Sequence, residues 1–235
     1  MASKKLGVIG GMGARASSLF LQKLIEYSPA LSDQEQLEII LHSNSRIPDR
    51  TKAILYSKDS PLPEMLRSVK IFNENGVEVI VLACITAHYF YDQLLQHTNA
   101  TILHPVQLVG EYLVKNHPQV RKVGILATTG TLRSGLFHRE LEKRGLTLVT
   151  LNEEDQERYF MQSVYMDHGL KSARISEEAL DLFGKCIPPL LEAGAEIIIG
   201  GCSEVQIALN QKQVEMPFVD AIDLLAQETV HYCYN

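Results

Sequence analysis

Glu74-Asn-Gly-Val-Glu-Val-Ile-Val-Leu-Ala-Cys84 and Glu192-Ala-Gly-Ala-Glu-Ile-Ile-Ile-Gly-Gly-Cys202 align without a gap and share Glu, Gly, Glu, Ile and Cys at matching places. Each stretch reads as a turn glycine, a β-branched run and a cysteine, the pattern of a buried parallel strand with the cysteine just past its C-terminal end and a helix N-terminus after it. Gly7-Val-Ile-Gly10 and Gly124-Ile-Leu-Ala127 extend the match in the same register to within one residue. The chain therefore reads as two copies of one α/β unit. Open α/β sheets place ligand contacts at the C-terminal ends of their strands, and a pseudo-twofold arrangement of the copies would bring the two cysteines together across an interdomain cleft.

Outward from these stretches, short β-branched runs alternate with amphipathic segments, which predicts parallel sheets with helical crossovers. Strands are expected near Lys5 to Gly10, Leu37 to His42, Val77 to Ala83, Thr101 to Leu103, Lys122 to Ala127, Leu146 to Thr150, Ala195 to Gly200 and at Phe218. Pro61 and Pro63 suit the first turn of a helix ending before Gly76, and Pro105 opens another ending near His117. The polar loop Ser43 to Arg50 follows a strand, a position suited to ligand contacts. The division expected is an N-terminal lobe of residues 1–104 plus 216–235 and a C-terminal lobe of residues 105–215, with the last strand and helix crossing back onto the first lobe.

The 235 residues are 46% apolar and 21% charged, enough for a sizeable core. A net charge of −6 argues against nucleic acid as a partner. The longest apolar run, Val79 to Ile85, is far short of the roughly 20 residues a membrane-spanning helix needs. No signal-like stretch precedes the first strand, so a cytoplasmic protein with reduced thiols is expected. The four cysteines, at 84, 186, 202 and 233, form no C-x-x-C pair, so no zinc ribbon or redox motif is indicated. Cys186 and Cys233 read as core thiols. Gly10-Gly11-Met12-Gly13 lacks the full dinucleotide fingerprint, because Arg15 and Ala16 follow, and reads as a tight strand-to-helix turn.

Two thiols facing one closed cleft cannot both ionise cheaply, so a thiolate and thiol pair is the natural resting state, a base beside an acid. On opposite faces of a planar carbanion, one removes a proton next to a carboxylate and the other returns one, inverting the carbon. Hydroxyl and N–H donors must then stabilise the carboxylate where charge develops. Thr86, Ser203, Thr128, Thr129 and Thr131 stand at strand ends where such donors are needed. Neither a recognisable pyridoxal lysine nor a metal-ligand cluster appears in the sequence, so cofactor-independent chemistry is inferred.

Gly10-Gly11-Met12-Gly13, Ile47-Pro48-Asp49-Arg50-Thr51, Cys84-Ile-Thr-Ala-His88, Ala127-Thr-Thr-Gly-Thr131 and Gly201-Cys-Ser-Glu204, in this order and spacing, resemble the aspartate/glutamate racemase family of pyridoxal-independent amino-acid racemases, closest to its aspartate racemase branch. The likeness spans nearly the whole chain. It implies two tandem Rossmann-like three-layer α/β/α domains, an interdomain active site, a homodimer, and Cys84 and Cys202 as the acid/base residues. It further implies that Arg50 holds the distal carboxylate of the substrate, with Met12, Thr86, Thr128, Thr131 and Ser203 around the ligand and His88 and Glu204 behind them. Two departures stand out: Ile85 replaces a common asparagine, and Gly169 falls where the aspartate branch carries a lysine, with Lys171 left open as its substitute. The implied activity is inversion of the α-carbon of aspartate, glutamate or a related amino acid. Alternatives are an isomerase or decarboxylase acting on a small dicarboxylate, or a non-catalytic carboxylate-binding protein. Asp49 and Glu204 are either cleft carboxylates or caps, His88 either tunes a thiolate or packs the loop, and Asn152 to Arg158 is expected as an exposed helix start.

Overall fold

In the computed structural model, residues 3–209 and 214–235 are described. They form two parallel four-stranded sheets. The first contains β1 (Leu6–Gly10), β2 (Ile39–Ser43), β3 (Val79–Leu82) and β4 (Thr101–Ile102) in the order β2-β1-β3-β4. The second contains β5 (Lys122–Leu126), β6 (Thr147–Val149), β7 (Ile197–Gly200) and β8 (Phe218–Asp220) in the order β6-β5-β7-β8. The same order twice is what the internal repeat predicts, and every expected strand is found. Helices cover both faces of each sheet, so the chain is a pair of α/β domains with a cleft between them.

Alternation along the central strands explains why each is apolar throughout. Val79 and Val81 of β3 enter a core shared by both lobes, together with Ile125 of β5 and Ile199 of β7. Ile80 and Leu82 face the first lobe's own core with Phe72, while Leu126 and Ile198 face that of the second with Phe160. Cys186 and Cys233 are buried in cores, as expected, although Cys186 lies in the turn between the helices Glu177–Gly184 and Ile187–Glu192 rather than inside one.

The C-terminal segment corrects one expectation. Phe218–Asp220 does not return to the first sheet: it pairs with β7 in the second, Ile199 opposite Val219. What crosses to the first lobe is the helix Ala221–Tyr234, where Lys23 bonds Asp223, and the Lys4 backbone N–H donates to the Cys233 carbonyl at 2.9 Å. The short strand finds its free edge next to β7, while the longer amphipathic helix covers apolar surface of both lobes. A second difference concerns the segments after the cysteines. Cys84 is followed by a 3₁₀ turn, Thr86–Phe90, and Cys202 by a single helical turn, Val205–Ala208, so neither thiol sits at the start of a long helix. Among the described residues, no helix is long and apolar enough to cross a membrane.

Candidate active site

The turn after β1 is shaped by backbone crowding. Gly11 adopts φ +83°, and a Cβ there would fall 2.4 Å from the Asn44 backbone, so only glycine fits. The Met12 side chain is buried in the first lobe's core, and its carbonyl oxygen is what reaches the cleft. Arg50 begins the helix Arg50–Tyr56, whose start is capped by Asp49 accepting from the Lys52 N–H at 2.8 Å. Arg50 Nη2 donates to Met12 O at 2.7 Å and Nη1 to Pro48 O at 3.0 Å, while its buried Nε lacks a hydrogen-bond partner. Burial opposes the guanidinium charge, but Cys84 beside it, with Asp49 and Tyr165, outweighs that penalty and holds Arg50 above its ordinary range.

The second thiol has a contrasting neighbour. Cys202 Sγ donates to Glu204 Oε2 at 3.0 Å, and Ser203 Oγ donates to the same oxygen at 3.0 Å. Lys171 Nζ bonds the other carboxylate oxygen at 2.6 Å and Met12 O at 3.3 Å. A continuous line of contacts thus runs from Cys84 through Arg50, the Met12 carbonyl, Lys171 and Glu204 to Cys202. Cys84 is 5% exposed, Cys202 4% and Glu204 2%. Burial and the adjacent Glu204 carboxylate push the Cys202 thiol well up, against the opposing pull of Lys171. Lys171 is raised despite burial, by Glu204 first, then by Cys202, Tyr165 and Cys84. Burial disfavours the Glu204 carboxylate, but Lys171 and the Cys202 and Ser203 donors hold it below its usual range. The two thiols are therefore not equivalent, as a symmetric duplication would make them: one faces a cation and the other donates a hydrogen bond to an anion.

Glu204 also explains the last glycine of the first turn. A Cβ on Gly13 would lie 2.7 Å from Glu204 Oε1, so the carboxylate of the second lobe sits against the start of the first lobe's helix Ala14–Glu26. That helix has no side-chain cap and no acidic residue in its first turn, and the positive end of its dipole favours the visiting carboxylate.

Hydroxyls from both lobes meet nearby. Thr86 Oγ1 lies 3.0 Å from Thr128 Oγ1 and 2.9 Å from Thr131 Oγ1, and the last two are 3.1 Å apart. Thr129 points elsewhere, donating to Glu157 at 2.7 Å. His88 is buried, and its Nδ1–H donates to the carbonyls of Cys84 and Ile85, each at 3.1 Å. Burial and neighbouring His104 bring its pKa down to about 3, so it anchors the loop as a neutral ring rather than as a cation beside the thiol. Ile85 packs into the shared core. Tyr165 gave no local signal in the sequence, yet its hydroxyl donates to Asp49 Oδ2 at 3.0 Å across the cleft. It ends a helical run, residues 153–165, that begins at the Asn152 cap as expected and contains a π segment, Gln156–Met161. Gln156 turns inward and donates to the Ala127 carbonyl at 2.9 Å. A second strap joins Arg15 Nη2 to the Ala173 carbonyl at 2.5 Å.

The family model described as "Asp/Glu/Hydantoin racemase" matches residues 9–229. The chain belongs to this family. Among curated proteins, the broad specificity amino-acid racemase RacX of Bacillus subtilis (strain 168) is 25% identical, with 96% of each chain covered. Among solved structures, the Picrophilus torridus aspartate racemase superposes with a TM-score of 0.86 at 23% identity, covering 98% of this chain and 94% of that one. An aspartate racemase homologue from Pyrococcus horikoshii OT3 gives a TM-score of 0.74 at 24% identity, covering 99% and 100%. These structural likenesses establish the fold of the Asp/Glu/Hydantoin racemase family.

Proposed function

We propose that the protein is a cofactor-independent racemase that inverts the α-carbon of an amino acid, using Cys84 and Cys202 as the two acid/base groups. The observation that carries this reading is the unlike pair of surroundings: Arg50 beside Cys84, and Glu204 accepting a hydrogen bond from the Cys202 thiol at 3.0 Å. In one direction Cys84, as thiolate held by Arg50, removes the α-proton. The resulting carbanion takes the Cys202 proton on its other face, and the new Cys202 thiolate is stabilised by the Lys171 ammonium. The reverse reaction exchanges the roles. Thr86, Thr128 and Thr131 direct hydroxyls at the α-carboxylate as it gains carbanion charge. Membership of a racemase family and the name of the Bacillus relative support an amino-acid substrate. The reading includes a homodimer, as the family resemblance implies, working in the cytoplasm.

The test is α-proton exchange in deuterated water, followed by mass spectrometry together with chiral analysis. Deuterium is expected at the α-carbon with inversion. Removing one positioned acid/base group costs about 10²- to 10⁴-fold, so Cys84→Ser and Cys202→Ser should each lose inversion by at least that much while remaining folded. Full inversion in both variants would refute the assignment.

A further inference from the structure

Gln156 is a buried polar side chain, 5% exposed, that takes no part in the chemistry described above. The turn after β5 gives it a task. Ala127 lies one residue beyond the last ladder pair of that strand, Leu126 opposite Gly200, so its carbonyl has left the sheet and needs another donor. Gln156 Nε2 supplies one at 2.9 Å. Two more groups of the same segment grip Thr129: Glu157 Oε1 accepts from its hydroxyl at 2.7 Å and Met161 Sδ from its N–H at 3.3 Å. Residues 156, 157 and 161 can reach one turn together because Gln156–Met161 is π-helical, and bonding from each residue to the fifth along brings Met161 over Gln156. Between the two gripped residues stands Thr128. It caps the helix Thr129–Ser134, and its hydroxyl lies 3.0 Å from that of Thr86 and 3.1 Å from that of Thr131.

We propose that Gln156 is a positioning residue: it holds Ala127 on one side of Thr128 while Glu157 and Met161 hold Thr129 on the other, and so fixes the direction in which the Thr128 hydroxyl faces the substrate carboxylate. The proposal rests on the racemase reading above and deepens it. Gln156 Nε2 bonds the Ala127 backbone and lies 3.5 Å from the Thr129 hydroxyl, not against Thr128 itself. Its effect on turnover therefore passes through the Thr128 hydroxyl and vanishes when that hydroxyl is absent.

Gln156→Met keeps the side-chain volume and removes the donor. α-Deuterium exchange is measured with whichever enantiomer of aspartate, glutamate, alanine, serine or lysine the unaltered protein exchanges fastest. In Gln156→Met, kcat is expected to fall by at least about tenfold with KM changed less than about threefold, because a hydroxyl aimed at developing charge acts mainly in the transition state. In a Thr128→Val background the same replacement is expected to cost less than about twofold, since two residues acting through one hydroxyl are not additive. Ser163→Ala, which removes a hydroxyl bonded to the Phe160 carbonyl at 2.8 Å in the same helical run, controls for lost stability and is expected to leave kcat within about twofold. If Gln156→Met does not fold, Met161→Leu makes the comparison from the Thr129 side, with a fall in kcat that disappears in Thr128→Val. Unchanged turnover in Gln156→Met, a loss that persists undiminished in Thr128→Val, or an equal loss in Ser163→Ala would overturn the proposal and leave the racemase reading intact. Absence of exchange by the unaltered protein with every one of these amino acids would overturn both.

Discussion

Replacing Glu204 by glutamine keeps the side-chain shape and removes the anion to which Cys202 donates at 3.0 Å. Two consequences follow, with different magnitudes. Leaving one member of a buried ion pair unmatched costs about 3–5 kcal/mol, and because the Lys171 side chain is 23% exposed and keeps its bond to Met12, about 2–3 kcal/mol is the better figure here. For a chain of this length that lowers Tm by roughly 4–12 °C. The second consequence is chemical. Burial and Glu204 push the Cys202 thiol up while Lys171 pulls it down, so deleting the carboxylate should bring the thiol back toward its ordinary range. A drop of one pH unit gives about tenfold more thiolate at a fixed alkaline pH. The assay is iodoacetamide labelling across pH, with Cys84 and Cys202 quantified separately in one digest. Cys202 labelling should rise about tenfold or more in Glu204→Gln, whereas Lys171→Met should move it in the opposite direction or leave it unreactive. Faster Cys202 labelling in Lys171→Met, or an unchanged profile in Glu204→Gln, would refute the electrostatic reasoning.

Asp220 caps the helix Ala221–Tyr234, accepting from the N–H groups of Ile222 and Asp223, and burial raises its pKa to about 6. The folded protein then binds this proton more tightly than the unfolded chain, so the group's contribution to stability is greatest below about pH 4 and falls as pH rises towards about 6. With the residue partly exposed, the loss is about 1–2 kcal/mol, and Asp220→Asn should flatten that part of a urea-midpoint profile; identical profiles would remove the assignment. Gly130 packs where a Cβ would lie 2.7 Å from Thr51 Oγ1 and 2.8 Å from Thr51 Cα, so Gly130→Ala must push apart the helices Thr129–Ser134 and Arg50–Tyr56. A loss of about 1–3 kcal/mol in denaturant unfolding is expected, and an unaffected midpoint would contradict that close approach.

The strands were legible because each is a β-branched run between turn residues, and the repeated stretches ending at Cys84 and Cys202 supplied the duplicated sheet order. The sheet that takes Phe218–Asp220 was not legible, since so short a strand carries no pattern that distinguishes one free edge from another. The cysteines, Arg50, Thr86, Thr128, Thr131, Ser203 and Glu204 stand in local motifs; the structure sets the three threonine hydroxyls against one another and links Arg50 to Glu204, Ser203 and Cys202 through the Met12 carbonyl and Lys171. Lys171 and Tyr165 stand in no motif. Their positions depend on how the chain between the helices Gln162–Tyr165 and Glu177–Gly184 folds over the cleft, with Lys171 meeting a carboxylate and Tyr165 an aspartate distant in sequence.

What duplication conserves and what it releases can be separated at the second residue after each cysteine. The frame is the same in both halves, a buried strand ending two residues before the thiol, with β3 and β7 occupying equivalent places in their sheets. The residue two places after Cys84 is Thr86, whose hydroxyl joins Thr128 and Thr131 of the other lobe; the residue two places after Cys202 is Glu204, whose carboxylate accepts a hydrogen bond from the thiol and pairs with Lys171. A two-base reaction needs one sulfur that holds its proton and one that has released it. Equal surroundings would not distinguish the two sulfurs, whereas a carboxylate beside Cys202 and a guanidinium beside Cys84 give the proposed reaction its asymmetry. Glu204 at the place of Thr86, together with Arg50 and Lys171 from outside the repeated stretch, is what gives two like halves the unlike surroundings that the proposed reaction uses.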